Sequence, residues 1–351
     1  MYTKRKGMLF VFGIVCIFVL AACGGGNTGE KEEATAETAS DTEETFTFKV
    51  AGQYPEDHPN TQALKKFKET VEQESNGAIT LDLYPAAQLG DYTLVYEEIM
   101  RGTIDMGLIS IPTDFDERLA INWVNYLAES YDVARDVYAP DSFFYQTNEK
   151  LNEEAGVKYL GFHVEGFGGI GAMEALEKPT EPGVDKGIQL RVPPIEMYKV
   201  TAEDLGFRTV SIPYAELYQA MQTGVADGWA GGPPVANYHD VGDLITHYYQ
   251  YNDFFEMVPM LMNMDKWESI GEENQQIIQD AAQTMMEESF NIAEENDQIY
   301  RDKMAENDIE IITFSDEELK KLADYTRETT WPKLKETLGD DIYNGLTEEY
   351  Q

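Results

Sequence analysis

The chain has 351 residues, of which 65 are acidic and 26 are basic, so its formal net charge at pH 7 is −39. This charge excludes nucleic acid as a partner, because the phosphate backbone would be repelled. An anionic membrane surface would repel the chain as well, so attachment to a membrane would require an apolar or acyl anchor. The length is sufficient for two domains of ordinary size.

The first segment, residues 1–22, has a basic start, a short apolar run and small residues at its end, which is typical of a secretory signal peptide. The segment leads into "LAAC", which resembles the lipobox of bacterial lipoproteins and ends at Cys23. Cleavage before Cys23 would leave a thiol for lipid attachment and would remove Cys16, so no disulfide could form. A transmembrane anchor is the alternative, but the apolar run is short for one. We expect an extracytoplasmic protein that is lipid-anchored to the cell membrane.

The lipidated cysteine begins a second segment, 23–45, which is poor in apolar residues and rich in Gly, Thr and Glu. This composition predicts a disordered acidic tether. The folded body should begin near Phe46. Residues 46–165 predict a first lobe with the order βαβαβ. Its strands are "TFKVAG", "AITLDLYP" and "IDMGLIS", and its helices are "NTQALKKFKETVEQESNG" and "DYTLVYEEIMRG".

The following residues repeat this alternation. Strands are predicted at "VKYLGFHV", "GIQLRVP", "FRTVSIP" and "VADGWAGG", with helices at "IEMYKVTAEDLG" and "YAELYQAMQTG". We assign the crossover to the end of the first lobe and the second lobe to 166–265. Open α/β sheets bind ligands at the carboxyl ends of their strands, so a cleft between the lobes is the expected site.

The last part of the chain, 266–351, predicts a long bracing helix followed by C-terminal helices. Ser269 and Glu272 have the spacing of a capping box before the long helix, and Ser315 and Glu318 have it again before the next one. The apolar stripe of the long helix indicates core packing. Its predicted members are Ile277, Ile278, Ala281, Ala282, Met285, Phe290, Ile292, Ala293 and Ile299.

The sequence contains no convincing catalytic motif, so it gives no positive support to an enzymatic function. The sequence "GFGGIG", 166–171, matches a dinucleotide-binding pattern, but no amphipathic helix follows it, so a flexible loop at the cleft is favoured. The four histidines show no metal-ligand spacing, and neither a calcium loop nor a G-x-S-x-G elbow occurs. We therefore predict no enzymatic activity and no cofactor.

Arg191 lies between Leu190 and Val192 in the apolar run "GIQLRVPP". A buried guanidinium requires an anionic partner. The partner could be one of the many acidic residues, which would make a structural ion pair, or a carboxylate of a ligand.

The sequence around Arg191 resembles a known family. "LRVPPIEMY" followed by "LGFRTVSIPYAELYQAMQTGVADG" is similar to the extracytoplasmic solute receptors of tripartite ATP-independent periplasmic (TRAP) transporters of the DctP type. The first half agrees around "SNG" and "QLG", and the resemblance covers roughly residues 47–312. It implies a two-lobed α/β fold like that of periplasmic binding proteins, a flytrap with a long bracing helix. It also implies delivery of a small organic acid to the integral membrane subunits of a TRAP transporter.

The resemblance also implies roles for individual residues. Arg191 falls on the arginine that binds the ligand carboxylate, Tyr214 on an aromatic residue that packs over the ligand, and Gln53 and Asp91 on polar pocket positions. Trp229 lies in "WAGGPP", where the family often has Asn or Glu; it is expected to form a wall of the pocket, with a structural role as the alternative. The predicted ligand-binding residues are Arg191, Tyr214, Trp229, Gln53, Asp91 and Gly231.

Two departures from the family bear on the ligand. "EGFGGIG" stands where some relatives have a second arginine, and Ser110 stands where sialic-acid receptors have a glutamate. Both departures favour a monocarboxylate with an apolar or aromatic remainder. Two other functions stay open at this point: a receptor of an ATP-driven importer, and a cell-surface hydrolase or lyase.

Overall fold

The computed structural model describes residues 44–350. The predicted signal peptide, Cys23 and nearly all of the tether lie outside the described residues. The strands are β1 (Phe46–Gly52), β2 (Ile79–Tyr84), β3 (Met106–Leu108), β4 (Val157–Phe167), β5 (Gly169–Ala172), β6 (Gln189–Val192), β7 (Arg208–Ser211), β8 (Gly228–Gly232), β9 (His247–Gln250), β10 (Phe255–Asn263) and β11 (Glu310–Thr313). The helices are α1 (Pro59–Glu74), α2 (Tyr92–Met100), α3 (Tyr131–Val137), α4 (Phe143–Glu154), α5 (Glu196–Leu205), α6 (Leu217–Gln222), α7 (Pro234–Val241), α8 (Met264–Ser269), α9 (Gly271–Glu306), α10 (Asp316–Thr329) and α11 (Trp331–Tyr350).

Two sheets form the two lobes, which confirms the predicted two-lobed α/β fold. The first sheet has the order β2-β1-β3-β10-β4, and the second has the order β11-β9-β5-β8-β6-β7. Strand β1 pairs in parallel with β2 and β3, whereas β10 runs antiparallel to β3 and β4. In the second sheet β6 pairs in parallel with β7 and β8. Parallel pairs require the crossover helices that the alternating sequence pattern predicts.

The chain crosses between the sheets three times, and the first two crossings, from β4 to β5 and from β9 to β10, lie side by side. Gly168 separates β4 from β5, and its N–H donates to the Phe254 carbonyl at 2.6 Å, while the Asn252 N–H donates to the Gly168 carbonyl at 3.0 Å. The segment 166–171, expected to be a flexible loop, instead forms the end of β4, this crossing and β5. Its glycines allow the two crossing strands to approach closely.

Strand β10 corrects the predicted boundary of the second lobe. Residues 255–263 were assigned to that lobe, but β10 lies in the first sheet between β3 and β4. Strand β11 likewise joins the second sheet, although only helices are predicted after residue 265. The pattern of apolar residues along a strand is the same whichever sheet the strand joins. The sequence of β10 or β11 alone therefore does not indicate which sheet it enters.

The predicted bracing helix is confirmed by α9, which is 36 residues long and packs against β4 and β11, one strand from each sheet. Its start differs from the prediction. Ser269 ends α8 and its hydroxyl donates to the Lys266 carbonyl at 2.7 Å, so it forms no capping box with Glu272. The capping box of Ser315 and Glu318 is present at the start of α10.

The apolar stripe of α9 is buried over most of its length, but Ile292 and Ile299 are exposed. Polar residues take part of the buried face instead, among them Asp297, which is 3% exposed. Within residues 44–350, no helix combines the length and the apolar composition of a membrane span.

Candidate functional site

A cavity with an empty volume of about 440 Å³ lies between the two sheets. Both lobes contribute to its wall, and nearly all of the wall is buried. The lining residues are Gln53, Tyr54, Tyr92, Ser110, Trp123, Glu165, Arg191, Pro193, Tyr198, Tyr214, Trp229, Ala230, Gly231, Ala236 and Glu256.

Arg191 reaches the cavity from β6, where it pairs with Val210 of β7 and Trp229 of β8. It is 2% exposed. Its Nε donates to the Ile212 carbonyl at 2.8 Å, but its Nη2 is buried without a hydrogen-bond partner. No ion pair in the described part of the chain includes Arg191. Burial lowers the pKa of Arg191 to about 10, so the side chain is a cation at neutral pH.

Tyrosine hydroxyls lie near this guanidinium. Tyr198 extends from α5, is 2% exposed, and has a hydroxyl without a hydrogen-bond partner. Tyr214 follows β7, and its hydroxyl donates to Asp240 Oδ2 at 2.6 Å. Its ring contacts Tyr54 of the first lobe edge to face, with 5.9 Å between ring centroids. The Tyr54–Tyr214 contact therefore joins the two lobes at the wall of the cavity.

Trp229 and Gly231 lie on β8, in the predicted "WAGGPP" segment. The Trp229 indole N–H donates to Asn237 Oδ1 at 2.8 Å, which fixes the ring as a wall of the cavity. Gly231 has a φ of +115°, and a Cβ there would lie 3.3 Å from the Tyr198 hydroxyl. A larger residue at position 231 would therefore be strained and would crowd Tyr198.

The two polar positions predicted in the first lobe differ in placement. Gln53 lines the cavity, and its Oε1 accepts a hydrogen bond from the Ser110 N–H at 3.1 Å. Asp91 does not line it. Instead Asp91 is the N-cap of α2, where its carboxylate accepts from the Thr93 N–H at 3.3 Å. The residue after it, Tyr92, is the one that faces the cavity.

Two buried acids of the cavity were not predicted. Glu165 is 4% exposed and Glu256 is 5% exposed. They come from the neighbouring strands β4 and β10, where the register shifts between Glu256 and Met257 so that Glu165 has no partner in the ladder. Such a bulge re-aims a side chain, here into the cavity. The sequence does contain an indication that these two acids are buried, since each interrupts an apolar run as Arg191 does.

Burial and mutual repulsion act on both acids. Burial, followed by the charge of Asp240, raises the pKa of Glu165 to about 8, although hydrogen bonds from Asn60 and Tyr54 oppose the shift. Burial, followed by the charges of Glu165 and Asp253, raises the pKa of Glu256 well above its ordinary range. The cavity therefore holds one unpaired cation and two carboxyl groups that resist ionisation.

Comparisons with known proteins place the chain in a family. The model of "bacterial extracellular solute-binding protein, family 7" (DctP) matches residues 50–337. A sialic acid-binding periplasmic protein of Vibrio cholerae is 26% identical over 234 residues, which cover 63% of this chain and 68% of that protein.

Solved structures agree in fold. A TRAP periplasmic solute-binding protein from Haemophilus influenzae, with bound L-gulonate, has a TM-score of 0.75 and 23% identity, covering 87% of this chain and 99% of that one. Another, from Desulfovibrio salexigens with bound orotic acid, has a TM-score of 0.78 and 18% identity, covering 87% and 98%.

The family match spans most of the chain, including both sheets and helix α9. It confirms the resemblance read from the sequence around Arg191. The chain belongs to the DctP family of bacterial extracellular solute-binding proteins, the receptors of TRAP transporters.

Proposed function

We propose that this protein binds a small organic acid in the cavity between its lobes and delivers it to the integral membrane subunits of a TRAP transporter. The observation that carries this proposal is the unpaired, buried guanidinium of Arg191. A buried charge without a partner is costly, and a planar guanidinium offers a carboxylate two parallel hydrogen bonds. A ligand carboxylate would supply the missing partner.

The surroundings of Arg191 fit the same role. The unpartnered Tyr198 hydroxyl offers a further donor. Tyr214, Trp229, Gln53 and Gly231 line the same cavity and are proposed to contact the ligand, whereas Asp91 is proposed to act only by capping α2. The two similar solved structures hold acids, L-gulonate and orotic acid, which supports an acid as the class of ligand here.

Extracytoplasmic attachment through a lipid on Cys23 completes the proposal. It rests on the "LAAC" sequence after an apolar run. The net charge of −39 would keep the body away from an anionic membrane surface, so an acyl chain would provide the attraction.

Calorimetry on pairs of acids and their amides tests the proposal. The panel contains gulonate, orotate and other small carboxylates, each with the matching amide, and native mass spectrometry identifies any molecule that co-purifies. At least one acid should bind about 30-fold or more tightly than its amide, because the amide lacks the charge that Arg191 requires. Equal affinities for acid and amide, or no binding of any carboxylate, would contradict the proposal.

A further inference from the structure

Glu165 and Glu256 belong to one lobe and face the other lobe across the cavity. They lie on β4 and β10, two neighbouring strands of the first sheet. The opposite wall comes from the second lobe, with Arg191, Tyr198 and Trp229 among its residues. In this arrangement the two acids are only 4% and 5% exposed. The second lobe therefore covers the side on which water would otherwise reach both carboxyl groups.

No positive charge replaces water around the two acids. Within residues 44–350, neither carboxyl group forms a salt bridge with a lysine or an arginine, and the histidine beside Glu165 is His58, whose Nε2 lies 3.9 Å from Oε1. Burial lowers the pKa of His58 well below its ordinary value, so the ring is neutral. Asn60 donates a hydrogen bond to Glu165, but it carries no charge either.

The titratable groups on the surrounding elements do not compensate the two acids. The further charges that act on them come from other acids, Asp240 on α7, Asp253 before β10 and Asp297 on α9. Arg191 on β6 is the cation of the cavity, and its charge acts on Asp240. The other titratable neighbours are neutral at neutral pH, because burial raises the pKa of the tyrosines and lowers that of the histidines: Tyr54, Tyr138, Tyr198, Tyr214, His163 and His239.

The position of the lobes therefore decides whether the two acids are ionised. With the second lobe in place, burial raises the pKa of Glu165 to about 8 and that of Glu256 well above its ordinary range, so both hold a proton at neutral pH. Since nearly all of the cavity wall is buried, a ligand can enter only when the lobes separate. Water then replaces the opposite wall, and a glutamate in water has a pKa of about 4.3 and is ionised.

We propose that closure of the two lobes around a ligand takes up protons from the solvent through Glu165 and Glu256, so that the receptor binds its acid together with at least one proton. The proposal rests on the organic-acid function proposed above and adds a proton to its binding reaction. Each proton converts a carboxylate into a neutral carboxyl group, which removes its repulsion of the ligand anion on Arg191. Separation of the lobes releases the ligand and the protons together.

Calorimetry in two buffers counts the protons. The probe is gulonate, orotate or whichever acid of the panel binds most tightly, titrated at pH 7.5 in HEPES and in Tris, which differ in their enthalpies of ionisation. The difference between the two binding enthalpies, divided by the difference between the two ionisation enthalpies, gives the number of protons bound. About one proton or more should be taken up for each ligand. Histidines contribute little at this pH, since their ordinary pKa is about 6.5.

The affinity provides a second measurement. It should fall by about tenfold or more between pH 7.0 and pH 8.5, because each proton taken up lowers the affinity about tenfold for each pH unit. The ligand carboxylate stays ionised over this range, and Arg191, with a pKa of about 10, stays a cation.

Two variants assign the protons to the acids. Glu165→Gln and Glu256→Gln each keep the shape of the side chain and cannot take up a proton. Each should lower the uptake by about half a proton or more, and its affinity should fall about threefold less than that of wild type between pH 7.0 and pH 8.5. Glu348→Gln, at an exposed position on α11, is the matched control and should change neither measurement.

The failures of the two proposals are distinguishable. Equal binding enthalpies in the two buffers would overturn the inference, as would an affinity that stays constant between pH 7.0 and pH 8.5. An uptake that persists unchanged in both glutamine variants would also overturn it, because the protons would then bind elsewhere. In each of these cases an acid still binds and the organic-acid function stands, whereas absence of binding by every carboxylate would remove both proposals.

Discussion

Arg191 combines an unpaired guanidinium nitrogen with nearly complete burial, and these two properties set what its substitution should do. Its Nε is already held by the Ile212 carbonyl, so the side chain is oriented before a ligand arrives. Orientation in advance reduces the entropy lost on binding.

Arg191→Ala should weaken binding of the preferred acid by roughly 30-fold to several thousandfold, since truncating one member of a buried charge pair costs about 2–5 kcal/mol. Arg191→Lys should also bind poorly, because an ammonium keeps the charge but loses the two parallel donors. Calorimetry with all three proteins measures the effect.

Arg208→Ala provides the matched control. It truncates an exposed arginine on the neighbouring strand β7 and should leave the affinity unchanged. If Arg191→Ala remains folded and binds within a factor of two of wild type, Arg191 is a structural cation only.

At the scale of residues, the sequence indicates that a charged residue lies in an apolar strand, but it does not indicate which charged residues lie close together in the fold. Arg191 was identified because a cation is rare in so acidic a chain. Glu165 and Glu256 carry the same signal, in "HVEGF" and "FFEMV", but two acids among 65 attract no notice. Their convergence depends on the pairing of β4 with β10, which is separated from it by about 90 residues of sequence.

Helix α9 carries a further buried acid to the point where β4 reaches the crossing. Asp297 accepts a hydrogen bond from the Tyr131 hydroxyl, and a Cβ at Gly166 would lie only 2.4 Å from its Oδ1. Gly166 is therefore required for this approach of helix and strand. Burial raises the pKa of Asp297 to about 7, against the opposing effects of Tyr131 and Arg301.

This shift predicts a pH dependence of stability. The pKa of Asp297 is higher in the folded than in the unfolded protein, so the folded state binds more protons between about pH 4 and pH 7. The contribution of this carboxyl group to stability is therefore complete at low pH and is lost as the pH rises through that range. In Asp297→Asn the side chain is neutral at every pH in this range, so the variant should not lose this contribution to stability.

Urea unfolding of wild type and Asp297→Asn at several pH values between 5 and 8 measures the difference, whose slope can reach about 1.4 kcal/mol per pH unit. The free energy of unfolding of the variant relative to wild type should increase with pH. Parallel curves for the two proteins would show that Asp297 does not titrate in this range.

At the scale of elements, periodicity predicted the helices and most strands but not their partners. The helix from Glu196 ends as predicted at Gly206, which has a φ of +104°. The start of α9 was wrong, because a serine at the end of α8 has the same spacing to Glu272 as a true cap. The structure distinguishes the two possibilities, because one helix ends and the next begins at Ile270, which places Ser269 at the end of α8 rather than at the start of α9.

At the scale of the molecule, the proposed lipid anchor depends on Cys23. Cys23→Ser should abolish incorporation of labelled palmitate and release the protein from the membrane fraction, because the lipid on Cys23 supplies the apolar attachment that the acidic body lacks. Metabolic labelling of both forms measures this, with an alanine at the neighbouring Gly24 as the control. Equal labelling of wild type and Cys23→Ser would contradict the lipid anchor.

The role of Arg191 as the carboxylate-binding residue is decided by a crystal structure of the protein with the tightest-binding acid of the panel. We expect both carboxylate oxygens within about 2.7–2.9 Å of donors on Arg191, in the cavity between the two sheets. Residues of both lobes, Gln53 and Tyr214 among them, should contact the same acid. A carboxylate bound elsewhere, or an Arg191 paired with an acidic side chain of the protein while the acid is bound, would contradict this role.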